Sequence, residues 1–157
     1  MKSMMSVINF LFADDAPEKR DITREFFQRY VKPRIHEVWI SDVVMDELRR
    51  TKDPNQRTLL LKVVQDYRLS ILPQEPFAEI VTLAVAYVRK VVIPRKKYED
   101  ALHIAVSTVH EVDALISWNF QHLANLSKER QVVMVNQANG YFYPLRITTP
   151  LEVMSYE

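Results

Sequence analysis

Two acids in this chain stand where an acid is expensive. Glu47 follows Val43 by four residues and Val44 by three, and it immediately precedes Leu48, so it falls on the stripe that its helix should bury. A carboxylate there is costly unless it is paired or bound to a metal. The alternative is a helix rotated so that Glu47 meets solvent, Arg50 or Thr51; Asp46 is the natural solvent-facing acid. Asp100 leads the apolar run Ala101-Leu102-His103-Ile104-Ala105-Val106. An acid at a helix N-terminus gains up to about 1 kcal/mol from the helix dipole, but one opening so apolar a helix also stands where a buried site would be. Ser117 and Asn119 flank Trp118 just after Ala114-Leu115-Ile116. A hydroxyl and an amide at a strand end can orient water or a phosphate, and Asn119 can equally serve a turn or an N-cap. Trp118 reads either as core or as a base-stacking platform. His103 lies three residues after Asp100, either facing the same site or as a hydrogen-bonded core residue. His36, His110 and His122 lack metal-ligand spacing. Arg49, Arg50 and Lys52, and Arg95, Lys96 and Lys97, border the two acidic helices, either as solvated faces or as holds on a phosphodiester backbone.

The elements that must position these groups alternate between strand and helix. The run from Ser6 to Phe12 reads as a buried strand, and Pro17 suits the first turn of a helix from Glu18 to Tyr30 that Pro33 ends. Glu37 to Ile40 is expected as a second strand, with Ser41 capping a helix from Asp42 to Arg50. Helical spacing recurs from Gln56 to Tyr67 and from Pro76 to Val92, with a short strand, Ser70 to Leu72, between them. Tyr98 to Val109 is an almost wholly apolar helix, and Ala114 to Ser117 an interior strand. Phe120 to Leu126 and Lys128 to Asn139 are expected as two further helices, the second ending with Gly140 at C′, and Leu145 to Ile147 as the last strand. Such alternation implies crossovers, hence a mostly parallel sheet with helices on both faces. In that architecture ligands gather at the carboxyl ends of the strands, which is where Glu47, Asp100, Ser117 and Asn119 fall.

Composition narrows the chemistry. The 157 residues fit one domain, 48% hydrophobic and 26% charged. With no cysteine, thiolate metal sites, disulfides and cysteine nucleophiles are excluded, and a reducing compartment is compatible. A single glycine, Gly140, excludes the glycine-rich loops of Walker and Rossmann sites. A formal charge of +1 gives no global field for nucleic acid, so such a partner must be held by a local patch. The apolar start is interrupted by Ser6 and Asn9 and lacks a small-x-small cleavage pattern, which favours a first strand over a signal peptide. No apolar run approaches the roughly 18 residues that span a bilayer.

Three segments, taken in order, resemble the PIN domain of VapC-type toxins, and the resemblance covers nearly the whole chain. Ser41-Asp42-Val43-Val44-Met45-Asp46-Glu47-Leu48 is similar to the family's second acidic motif, with Glu47 as its carboxylate. Tyr98-Glu99-Asp100-Ala101-Leu102-His103-Ile104-Ala105 is similar to the third, with Asp100 in the acidic position. The segment from Asp113 to Asn125 is similar to the fourth, where Ser117 and Asn119 take the places of a threonine-x-aspartate corner. At the N-terminus, Ser6-Val7-Ile8-Asn9-Phe10 matches the second half of a Leu-Asp-Thr-Ser-Val-like motif. Ser6 thereby takes a site position, and Met4 stands where the first aspartate belongs.

The resemblance implies a three-layer α/β/α PIN-like fold over residues 1–157. It further implies a cytoplasmic, metal-dependent endoribonuclease of the toxin–antitoxin kind. Mg²⁺ or Mn²⁺ would be held by Glu47 and Asp100 and would activate water for in-line attack on an RNA phosphodiester, with Ser6, Ser117 and Asn119 completing the catalytic set. Arg49, Arg50, Lys96 and Lys97 would meet the RNA. An antitoxin protein and a second copy in a homodimer are the implied partners. With a thioether at Met4 the cation would bind weakly or not at all, so the alternative expectation is a catalytically silent module that binds RNA or an antitoxin-like protein. A third, a small α/β protein with no nucleic-acid role, requires Glu47, Asp100 and Asn119 to lie apart. Two carboxylates sharing a crevice without a cation should raise at least one pKa.

Overall fold

The computed structural model describes residues 1–34, 36–120 and 124–155. Five strands form one parallel sheet: β1 (Lys2–Met5), β2 (Glu37–Ser41), β3 (Ser70–Leu72), β4 (Ala114–Ile116) and β5 (Arg146–Thr148). Their order is β3-β2-β1-β4-β5. The helices are α1 (Pro17–Phe26), α2 (Asp42–Arg49), α3 (Pro54–Asp66), α4 (Phe77–Arg89), α5 (Tyr98–Val109), α6 (Ala124–Ala138) and α7 (Pro150–Ser155). They flank the sheet as in a three-layer α/β/α arrangement: α1 packs on α7, while α5 packs on α4 and α2, and α4 also on α6. Among the described residues no helix is long and apolar enough to cross a membrane.

The first strand lies earlier than expected. Lys2–Met5 pairs with β2 on one side and β4 on the other, with Met4 opposite Trp39 and Leu115. The Ser6 N–H still donates to the Ile116 carbonyl at 3.0 Å, but Val7 turns into the helical region and Ile8–Phe12 forms a 3₁₀ segment. Apolar residues alone could not separate a buried strand from this tight turn, because both bury Val7, Ile8 and Leu11. Past α1 the chain continues as a π-helical turn, Phe27–Val31. There Phe26 stacks on Tyr30 at 5.6 Å between ring centroids, and Phe27 meets Tyr67 edge-on at 5.3 Å.

Ser41 ends β2 and caps α2, its hydroxyl accepting the Val44 N–H at 3.2 Å. Ala124–Ala138 is one helix, so the expected boundary between Leu126 and Lys128 does not exist. Residues 121–123 of the expected Phe120–Leu126 helix lie outside the described residues. Gly140 closes α6 in a Schellman motif: at φ 88°, its N–H bonds the Gln137 carbonyl and the Tyr141 N–H that of Asn136. Within α6, the buried Asn136 amide bonds both Tyr87 of α4 and Thr108 of α5. Burial holds the Tyr87 hydroxyl well above its usual pKa, so it donates to Asn136 at every physiological pH.

With one glycine in the chain, other helix ends must take left-handed residues: Arg34, Arg68, Val91 and Glu111 have φ between 51° and 59°. Val91 is the costliest, being β-branched, and its side chain is 83% exposed, so no packing offsets the strain. Val91→Gly is expected to stabilise the fold by about 1 kcal/mol. In thermal denaturation that is a rise of about 2–4 °C for a chain of this size. Gly140→Ala, where nothing crowds a new Cβ, should fall by a similar amount through its φ alone.

Candidate functional site

The chain runs from β1 outward to β3 and then crosses to β4 on the other side of β1, so the strand order reverses between β1 and β4. Crevices at such reversals, outside the carboxyl ends of the strands, are where open parallel sheets place ligands. Ser6 follows β1, the Ser117–Asn119 corner follows β4, and α2 follows β2 directly.

Glu47 and Asp100 converge there. The Glu47 carboxylate, about one-third exposed, meets Nε2 of His103 at 2.6 Å; the His103 side chain is buried. Glu47 thus keeps about a third of its side chain in solvent, while a helix-to-helix contact between α2 and α5 holds it. Nδ1 of His103 is buried without a partner. Nε2, the ring nitrogen that faces the carboxylate, carries a proton and donates to Glu47. His103 thus joins the two expectations for it, being both core and site-facing. Asp100 accepts a 2.8 Å hydrogen bond from the Asn119 side-chain amide.

The corner holding Asn119 is braced by its neighbours. Ser117 is buried, and its hydroxyl accepts the Asn119 N–H at 3.1 Å, so this side chain shapes the turn. Trp118 is 6% exposed, and its indole N–H donates to Thr23 of α1 at 2.9 Å, which makes it core. Ser6 carries a buried hydroxyl with no partner at the end of β1. Met4, two residues earlier, is fully buried inside the strand.

Burial pushes the Asp100 carboxyl above the usual aspartate range; His103, Asn119 and Lys97 draw it back, and repulsion from Glu47 adds a smaller push upward. The direction is the one expected of two acids in a shared crevice, but desolvation leads. Next to it Glu99 is itself pushed up by burial, yet ends below its usual value because of its hydrogen bonds with Glu47 and Arg50.

The basic residues divide into two groups. Arg50 is committed to Glu99 at 2.7 Å and Arg49 to Asp46 at 3.3 Å, on the wall of an open cavity of about 370 Å³ beside the acids. Lys96 and Lys97 are exposed on the 3₁₀ turn Arg95–Lys97 that leads into α5.

Sequence reasoning missed Glu99 as a member of the acidic group and the link from His103 to Glu47. Neither had a periodicity signal, since each depends on how α2 packs across α5. Among the described residues no group of three or more His, Cys, Asp or Glu could hold a metal ion. The donor types present, two carboxylates, an amide oxygen and an unmet serine hydroxyl, suit a hard cation bound weakly. No protein-family model matches the chain, and no curated protein does.

Because the folded-state pKa of Asp100 lies above its unfolded value, this group contributes stability below the ordinary aspartate range and loses it as pH rises through the raised value. Asp100→Asn is therefore expected to melt higher than the parent at pH 7 without divalent ions. The difference should close below about pH 4. A constant difference from pH 3 to pH 8 would place Asp100 in ordinary solvent.

Proposed function

We propose that this chain is a PIN-type, metal-dependent endoribonuclease domain of the toxin kind, with its cation affinity weakened by Met4. The observation that carries the reading is that Glu47 and Asp100, from separate helices, share the crevice at the strand-order reversal with the Asn119 amide. Glu47 and Asp100 would hold Mg²⁺ or Mn²⁺, which supplies an activated water for attack on a phosphodiester. His103 orients Glu47 by donating to one of its oxygens. Asn119 does the same for Asp100, and Ser117 fixes Asn119. Lys96 and Lys97, exposed beside Asp100, would meet the phosphates of the RNA. The same reading carries a cytoplasmic setting, an antitoxin protein as partner, and a homodimer.

A second reading is a catalytically silent module that binds RNA or an antitoxin-like protein. Full burial of Met4 at the position of the resemblance's first aspartate favours it.

Calorimetry with Mn²⁺ separates the two, since the silent module should show no heat. Met4→Asp is expected to tighten Mn²⁺ binding at least tenfold, about 1.4 kcal/mol, and to bring RNA cleavage out or raise it steeply. Without metal the variant should lose stability, because the new carboxylate is buried and unpaired, and Mn²⁺ should restore its melting temperature. Adding Asp100→Asn should abolish both gains. A Met4→Asp variant that stays folded yet neither binds Mn²⁺ more tightly nor cleaves RNA would sink the nuclease reading.

A further inference from the structure

Lys19 sits in the first turn of α1, where the helix dipole disfavours a cation. Among the described residues it makes no ion pair, while the nearby Asp14 and Asp21 are both taken by Arg20. Its amine lies instead 5.8 Å from the centroid of Phe10 and 5.9 Å from that of Trp118. The two rings are 6.3 Å apart and tilted by 58°. Thr23 fixes the group from below: it accepts the Trp118 indole N–H, and its own hydroxyl donates to the Lys19 carbonyl at 2.6 Å. Trp118 is the residue between Ser117 and Asn119, so this cation is tied to the corner that reaches Asp100. Phe10 is only partly buried. A pre-positioned cation with no carboxylate partner among the described residues, over a partly buried aromatic ring and beside the acidic crevice, matches the two handles that single-stranded nucleic acid offers: a phosphate and the face of an unstacked base.

We propose that Lys19, held across Phe10 and Trp118, grips the backbone of a single-stranded RNA lying over the Ser117–Asn119 corner, with the face of Phe10 receiving one unstacked base. The inference rests on the nuclease reading for the identity of the strand, and it needs no metal for its test. In a duplex the bases stack on each other and cannot meet Phe10, so single strands are preferred.

The test is fluorescence anisotropy of the full chain with a labelled single-stranded RNA of about eight nucleotides, a length within the usual site size, in buffer containing EDTA. Lys19→Met keeps the apolar stem over the rings and removes the charge. It should weaken binding roughly fivefold near 0.1 M salt and reduce the slope of log affinity against log salt by about 0.7, the loss of one phosphate contact. Lys19→Arg should keep the parent slope, and the same sequence as a duplex should bind more weakly than the single strand. Thermal denaturation confirms that both variants are folded. The proposal is overturned if Lys19→Met binds with the parent affinity and slope, if the parent binds no RNA, or if duplex binds as well as single strand. It is overturned in favour of a protein partner if an acidic peptide binds more tightly than RNA with the same dependence on Lys19. Unchanged RNA binding by Lys19→Met in a chain that does bind Mn²⁺ removes this inference alone. RNA binding that depends on Lys19 in a chain that binds no Mn²⁺ removes the nuclease reading and leaves the grip.

Discussion

Everything in the crevice hangs on a central strand of four residues. β1 is paired on both sides, to β2 through Met4 and Trp39 and to β4 through Met4 and Leu115. Because parallel strands cannot be joined by tight turns, each neighbour is reached through a helix-bearing crossover. The chain spends β2 and β3 on one side of β1 and β4 and β5 on the other. That reversal opens a gap at the carboxyl ends of β1 and β4, and the same register that closes the sheet sets Ser6 beside the end of β4, through the hydrogen bond from its N–H to Ile116. The position of the crevice is a consequence of strand order, and the acids only furnish it.

The furnishing is governed by desolvation. Glu47 and Asp100 could not both be left half-buried with nothing to meet them, and each has found a donor: the His103 ring for one, the Asn119 amide for the other. Each donor satisfies one oxygen of its carboxylate, while Glu99 on the rim is paired with Arg50. The result is an acidic crevice in which burial raises the Asp100 pKa.

The sequence made the architecture legible because its signals were local and repeated. Ser70–Leu72 and Tyr98–Val109 stand where β-branched and apolar spacing placed them, and Ser41 and Gly140 cap the helices their residue types suggested. The first strand was shifted because Val7, Ile8 and Leu11 are equally buried in a 3₁₀ turn and in a strand, and only pairing with β2 and β4 distinguishes them. α7 went unread: Pro150–Ser155 is short, and Met154 is its only large buried side chain. In the site, the acids were legible one by one, as costly carboxylates on apolar helices. Their partners were not, because the bond from His103 to Glu47 spans 56 positions in the chain and no local pattern encodes it.

A scarcity of glycine links the fold to its site. Helices that must stop and turn back usually use glycine at C′, and this chain has only Gly140 for the purpose. Arg34, Arg68, Val91 and Glu111 adopt left-handed backbone instead. None of the four belongs to the group around Glu47, Asp100 and Asn119, where Ser41 and Ser117 make the turns with side-chain hydroxyls while keeping ordinary geometry. Strain therefore collects at helix ends on the surface, and the corner that holds Asp100 is shaped by hydrogen bonds. Asn119 is exposed, and two hydrogen bonds position it: its amide donates to Asp100 and its backbone N–H to the Ser117 hydroxyl.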